Sequence, residues 1–280
     1  MTVAELLASA RRRLTDAGID TAHLDARLLA AAVTGLSREE MLMKAHDAVP
    51  ETEVSSCERL LERRLAGEPV SRILGKREFW GLDFIVTPAT LDPRPDSELL
   101  VELVIAQVGD GFSGRILDLG TGTGCLPIAL LSELPQARAT AVDISPAALD
   151  CARQNARAHG VLDRLEFIEG NWLEPVTGTY DIVLSNPPYI AAPVIEGLMD
   201  EVRLHDPRLA LDGGDDGLAA YRSIIEGLGT AIASRGQVFF EVGYDQADAV
   251  MGLLGDSGFA SIAAHNDLAG QRRCVSAVYS

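Results

Sequence analysis

The stretch Arg115-Ile116-Leu117-Asp118-Leu119 runs directly into Gly120-Thr121-Gly122-Thr123-Gly124-Cys125-Leu126, and that succession leaves a chain few ways to fold. The first five residues read as a short buried strand. The alternating glycines read as a turn whose backbone a ligand can approach closely, and the apolar run behind them as a helix. Next, Ala137-Arg138-Ala139-Thr140-Ala141-Val142-Asp143 reads as a second strand ending in an acid. From residue 96 onward helices and strands keep alternating, which predicts a parallel α/β sheet with its ligand at the carboxyl ends of the strands.

The glycine spacing narrows the ligand. Counted from Gly120, the last position of the dinucleotide pattern is Cys125, and counted from Gly122 it is Pro127, so neither register completes it. No Gly-Lys-Ser/Thr follows either, which removes a nucleoside triphosphate loop. An adenosine cofactor without a pyrophosphate fits. Asp143 then stands about 20 residues beyond the loop, the spacing at which a carboxylate meets ribose hydroxyls. Its other reading is a cap for the helix starting near Pro146, a role that Ser145 also suits. Farther on, the apolar run Tyr180-Asp181-Ile182-Val183-Leu184-Ser185 delivers Asn186-Pro187-Pro188-Tyr189 to a strand end. That tetrapeptide is suited to clamp a planar NH2 group. The Asn186 side-chain oxygen accepts one hydrogen, the Pro187 carbonyl accepts the other from a backbone stiffened by prolines, and Tyr189 covers the flat face. An Asn-Pro turn after a strand is also ordinary loop chemistry.

In this order, Gly120 to Gly124, Asp143, Gly170-Asn171-Trp172 and Asn186 to Tyr189 resemble a class I S-adenosylmethionine-dependent methyltransferase. More closely, the chain resembles the bacterial peptide chain release factor N(5)-glutamine methyltransferases, the PrmC/HemK family. The resemblance runs nearly the whole length, through Gly67-Glu68-Pro69-Val70, Arg77-Glu78-Phe79-Trp80, Pro93-Arg94-Pro95-Asp96-Ser97-Glu98, Asp206-Pro207-Arg208-Leu209-Ala210-Leu211-Asp212-Gly213-Gly214 and Asp267-Leu268-Ala269-Gly270. It implies a Rossmann-like domain that binds S-adenosyl-L-methionine through Gly120, Thr121, Gly122, Thr123, Gly124, Asp143, Trp172 and Asn186 and releases S-adenosyl-L-homocysteine. The target glutamine falls on Asn186, Pro187, Pro188 and Tyr189, with Asn186, Pro187 and Tyr189 carrying the catalysis. Class 1 release factors are the implied substrates, and a last antiparallel strand is implied at Arg273 to Tyr279. Two departures stand out: Pro127 in the first helical turn, where a missing N–H costs little, and His205-Asp206, where relatives more often carry Glu before the proline. Trp172, after Leu165-Glu166-Phe167-Ile168, lies beside the adenine or is a core tryptophan. Glu241, ending Gln237-Val238-Phe239-Phe240-Glu241, is either a proton acceptor or a residue standing behind the site. The same NH2 clamp would serve a glutamine of a ribosomal protein or, with Tyr189 stacking on the base, an adenine N6 group.

Charge bears on the partner. Of the 24 basic and 41 acidic residues, those up to residue 80 include 12 and 13, a net of −1, which leaves 12 and 28 beyond it, a net of −16 and no lysine. Nucleic-acid binding draws its affinity from Lys and Arg on phosphates, so this half argues against a direct nucleic-acid partner. An acidic face attracts a basic protein surface, and it also keeps a protein soluble. Cys57, Cys125, Cys151 and Cys274 are scattered without a C-x-x-C pair, and no histidine stands at ligand spacing, so neither disulfides nor a metal is expected. With no basic segment ahead of an apolar stretch and no span, a cytoplasmic monomer without membrane contact is expected.

At 280 residues two domains are a reasonable prior. Apolar residues at helical spacing, such as Val3, Leu6, Leu7, Ala10 and Leu14, predict helices over 3–17, 21–34, 37–46 and 51–67. These form a small N-terminal helical bundle, residues 1–69, with a substrate-recognition role. Gly67-Glu68-Pro69 stops the last helix, and the alternation from Phe79 to Val86 predicts a β-hairpin linker over 70–90. The methyltransferase domain is then 91–280.

Overall fold

In the computed structural model, which describes residues 1–109 and 111–280, the chain divides between Gly75 and Lys76, and each part builds its own core. The first part is helical: α1 (Val3–Asp16), α2 (Ala22–Thr34), α3 (Arg38–Met43), α4 (Glu51–Leu65) and α5 (Val70–Leu74). Thr2 and Ser37 begin α1 and α3 with capping boxes, each hydroxyl accepting a backbone N–H while Glu5 or Glu40 reaches back to the cap. Ala10 and Leu14 of α1, Leu29 of α2 and Leu61 of α4 close one apolar cluster. Inside this unit Arg64 Nε donates to Asp25 Oδ2 at 2.7 Å, with both side chains buried. Such a pair fixes geometry more than it adds stability.

The sequence reading placed a hairpin linker over 70–90, and here the structure differs. Residues 70–74 form α5, entered from Pro69 and closed by Gly75 in the left-handed conformation (φ 67°). The hairpin is confined to β1 (Lys76–Phe79) and β2 (Leu82–Ile85), with Trp80 and Gly81 at positive φ in the turn. It is no free linker. Phe79 and Phe84 are buried in the core of the second unit, and the Ile85 backbone bonds to Asn155 in both directions.

After the hairpin come a 3-10 turn at Pro95–Ser97, α6 (Glu98–Val108), β3 (Arg115–Leu119), α7 (Cys125–Glu133), β4 (Arg138–Asp143) and α8 (Pro146–Ala158). They are followed by β5 (Leu165–Glu169), β6 (Tyr180–Ser185), α9 (Ala192–Ile195), α10 (Asp200–His205), α11 (Ala219–Ala231), β7 (Ile232–Glu241), α12 (Ala247–Asp256), β8 (Phe259–Asn266) and β9 (Arg272–Tyr279). The seven-stranded sheet runs β5-β4-β3-β6-β7-β9-β8. Strands β3 to β7 are parallel to one another, while β9 pairs antiparallel with both β7 and β8.

Successive residues on a strand point to opposite faces. Ile116, Ile182, Leu184 and Phe239 accordingly join one core with α6 and α7, and Leu117, Leu119, Val183, Val238 and Phe240 join another with α11 and α12. Near-continuous apolar runs mark strands buried on both faces, as in a three-layer α/β domain. Among the described residues no helix is long and apolar enough to cross a membrane, and no group of three His, Cys, Asp or Glu converges to hold a metal.

Candidate active site

Four neighbouring parallel strands in the order β5-β4-β3-β6 bring Trp172, Asp143, the glycine loop and Asn186 to the same end of the sheet. They open onto one cavity of about 530 Å³. Carboxyl ends of parallel strands are where the sheet edge and the loops above it leave such a crevice.

The loop is shaped by its glycines and held by strand β4. Gly120 and Thr121 both donate their N–H to the Val142 carbonyl, at 2.9 and 3.0 Å. Gly120 has φ +73°, and a Cβ there would stand 3.3 Å from the Trp172 ring. Only glycine meets both demands without strain. Thr121, Gly122 and Thr123 line the cavity, whereas Gly124 does not; a Cβ on it would come within 3.0 Å of Ala152 and 3.1 Å of Ile128, so its task is close helix packing. Behind the loop, Asn155 of α8 is fully buried and donates Nδ2 to the Thr123 carbonyl at 2.9 Å.

Asp143 does two local jobs while facing the cavity. Its Oδ2 accepts the Gly122 N–H at 2.8 Å and its Oδ1 the Ser145 N–H at 2.9 Å. Burial raises its pKa against these bonds. The cap of α8 is Ser145, whose hydroxyl accepts the Ala148 N–H at 3.2 Å. Trp172 lines the cavity at φ 51° and packs its partly buried ring against the β6–β7 core. A bulky residue in that backbone region is strained, a condition that concentrates at functional sites.

Asn186 and Pro188 line the cavity, and Pro187 and Tyr189 do not. Pro187 is buried, while the Tyr189 hydroxyl points to Glu241 Oε1 at 3.4 Å. Asn186 Nδ2 donates to Ser97 Oγ at 3.1 Å, and Ser97 Oγ donates to Glu241 Oε2 at 2.6 Å. With its nitrogen tied back, the Asn186 amide keeps its oxygen as the free acceptor at the cavity. Glu241 is only 2% exposed, and burial pushes its carboxyl up to about 7.

Ser97, Arg94 and Asp118 were not assigned from sequence. Ser97 and Arg94 line the cavity, and Arg94 Nη2 meets the buried Asp206 carboxylate at 2.6 Å, which gives His205-Asp206 a local purpose. Asp118 lies fully buried beneath the loop beside Thr121, and burial raises its carboxyl to about 7 against the Thr121 contact. The stretch Pro93 to Glu98 was singled out by resemblance, but nothing local connects Ser97 to a residue 144 positions away.

Known proteins converge on the same description. A family model described as the PrmC N-terminal domain matches residues 5–75, and one described as the methyltransferase small domain matches 89–201. A methyltransferase structure from Pyrococcus furiosus superposes with a TM-score of 0.54 over 79% of this chain and 98% of that one; at 15% identity it supports the fold alone. A release factor glutamine methyltransferase of Cereibacter sphaeroides is 43% identical over 277 residues, 99% of this chain and 98% of the relative. One of Agrobacterium fabrum is 44% identical over 278 residues, 98% of this chain and 96% of the relative. Identity of that order across the helical unit and the α/β unit together means that the chain belongs to the release factor glutamine methyltransferase family.

Proposed function

We propose that this protein transfers a methyl group from S-adenosylmethionine to the side-chain amide nitrogen of a glutamine in a class 1 peptide chain release factor. The observation that carries the reading is the Asn186 amide, anchored through its nitrogen so that its oxygen is left to accept an N–H at the cavity.

The residues present fit the cofactor. Gly120 and Trp172 form a cradle that a Cβ would fill, and Asp143 keeps acceptor capacity beyond its two backbone bonds. In this reading Asp143 takes the ribose hydroxyls, Trp172 flanks the adenine, and Gly120 to Thr123 let the ligand lie against backbone. When bound, the cofactor supplies an electrophilic sulfonium methyl.

The chain's own contribution is orientation. A primary amide nitrogen is a poor nucleophile because its lone pair is delocalised into the carbonyl. In this reading Asn186 Oδ1 accepts one N–H at the cavity, and the carbonyl of Pro187, a residue buried behind the cavity wall, is assigned the other, which fixes the nitrogen and polarises its bonds. Alignment of this kind is worth up to about 7 to 11 kcal/mol in favourable intramolecular cases, so no catalytic base is needed before transfer. The methylated nitrogen then loses its proton readily to water. The Tyr189 hydroxyl, directed at Glu241, stiffens the tetrapeptide.

One glutamine side chain offers little surface, and selecting it in one protein needs a second contact area, about 800 Å² per partner at ordinary interfaces. The helical unit Met1–Gly75 is assigned that role, and the acidic α/β unit favours a basic protein surface over nucleic acid. The test offers labelled S-adenosylmethionine with a release factor, a ribosomal protein or DNA. Label should enter the release factor alone. Preferential labelling of the ribosomal protein or of DNA would replace this reading.

A further inference from the structure

Ser97 ends the 3-10 turn Pro95–Ser97 that runs straight into α6, and its hydroxyl makes no bond to the helix backbone. It lies instead between Asn186 and Glu241. The direction of each bond follows from chemistry. An ionised carboxylate only accepts, so Ser97 must donate its single proton to Glu241, at 2.6 Å. Its oxygen then presents lone pairs to Asn186, which obliges the amide to turn its NH2 inward, at 3.1 Å. The same carboxylate accepts from the Tyr189 hydroxyl on its other oxygen, at 3.4 Å. One buried anion thus holds both ends of the Asn186 to Tyr189 tetrapeptide, one of them through a serine.

Building on the proposed amide-clamp reading, we propose that Glu241 and Ser97 form a positioning relay that fixes which end of the Asn186 amide faces the substrate. Glu241 is not a catalytic residue here; it does not line the cavity, and Ser97 stands between it and Asn186. The state that matters is its charge. Protonated, Glu241 can donate to Ser97, which is then free to donate in turn to the Asn186 oxygen and hold the amide the wrong way round.

The surroundings allow this switch of direction near neutrality. Glu241 is faced by Arg273 and Cys274 of β9, Asp96 of the 3-10 turn, Tyr189 after β6, Tyr221 of α11 and Cys125 of α7. Burial pushes the two thiols and two phenols upward, and Arg273 stays charged. Glu241 is the group held at about 7, by burial against the Ser97 bond and the Arg273 charge. Its carboxylate form gains as pH rises through that value, so turnover should rise across it.

The relay is read directly in the full chain by following the Asn186 side-chain NH2 resonances in nitrogen-15 spectra, assigned by their loss in Asn186→Asp. They should titrate near pH 7, stop titrating in Glu241→Gln, and shift in Ser97→Ala. Turnover in Ser97→Ala and Glu241→Gln should fall about tenfold, the scale of one charge-assisted hydrogen bond. KM and cofactor affinity should change little, and the double variant should lose no more than either single one. Ser97→Thr, which keeps the hydroxyl, should restore most turnover. NH2 resonances indifferent to pH and to both substitutions would overturn the relay. Failure of the release-factor assignment has a different signature: the unsubstituted protein would not methylate a release factor, while the resonances would still titrate.

Discussion

Asn155→Ala should destabilise the α/β unit by roughly 2 to 5 kcal/mol and weaken cofactor binding at the same time. The side chain makes three polar contacts to backbone: Oδ1 accepts the Ile85 N–H at 2.8 Å, and Nδ2 donates to the Ile85 carbonyl at 3.1 Å and the Thr123 carbonyl at 2.9 Å. The Thr123 bond is buried, so its loss strands a carbonyl at a cost of about 1 to 3 kcal/mol. The two Ile85 bonds are partly exposed and water replaces them in part, leaving about 0.5 to 1 kcal/mol each. The assay is unusually clean. Trp80 and Trp172 are the only two tryptophans and both lie in Lys76–Ser280, so urea unfolding followed by their fluorescence reports that unit alone. Asn155→Asp isolates the donated bonds, because a carboxylate still accepts from the Ile85 N–H but cannot donate to the Ile85 and Thr123 carbonyls. It should loosen the glycine loop as much as alanine does. A loss below about 0.5 kcal/mol in Asn155→Ala, the scale of an ordinary surface change, would refute the claim that this side chain braces the loop.

Asn186→Ala should cut turnover by about 10²-fold or more with cofactor affinity changed far less, the scale of losing a positioned polar contact; kinetics and calorimetry together check it. Asp143→Ala should weaken cofactor binding by about 1.5 to 3 kcal/mol, and Trp172→Ala should weaken it too, whereas unchanged affinity in the folded Trp172 variant would make that ring a core residue. Asp118 and Glu241 are both raised to about 7, so the stability they contribute is full at acid pH and is lost as pH rises from the ordinary carboxylate range through about 7. Asp118→Asn should flatten the pH slope of thermal unfolding, which a wild-type slope in the variant would contradict. Residues 76–280 expressed alone should bind cofactor and methylate a short peptide carrying the target glutamine while losing most activity on the intact protein; equal losses on both would remove the recognition role of the helical unit.

What could be read from sequence was what local pattern encodes. The glycine loop, the strand ends at Asp143 and Asn186, and the helices α1, α2 and α4 follow from periodicity and turn chemistry within a few residues of each site. The short apolar run Val70–Leu74 carries no decisive period, and Pro69 starts a helix as readily as it ends one, so α5 was read as part of a hairpin. Strand β8 went unremarked because Phe259–Asn266 has interrupted register, with shifts on both sides of Ala263 to His265. The supporting shell was invisible for a different reason. Ser97 with Glu241, Arg94 with Asp206 and Asn155 with Ile85 are separated by 144, 112 and 70 positions, and only the folded sheet brings them together. The Tyr189 hydroxyl meets Glu241, a carboxylate 52 positions away that no local motif announces.

Whether the clamp at Asn186 receives the amide nitrogen of a glutamine side chain is decided by fragment mass mapping of a release factor after a single round of methylation by this protein, with the Asn186→Ala variant run alongside. One added methyl should appear, on the side-chain nitrogen of one glutamine, and be lost in the variant. A methyl on any other atom, or equal methylation by the variant, would contradict the clamp.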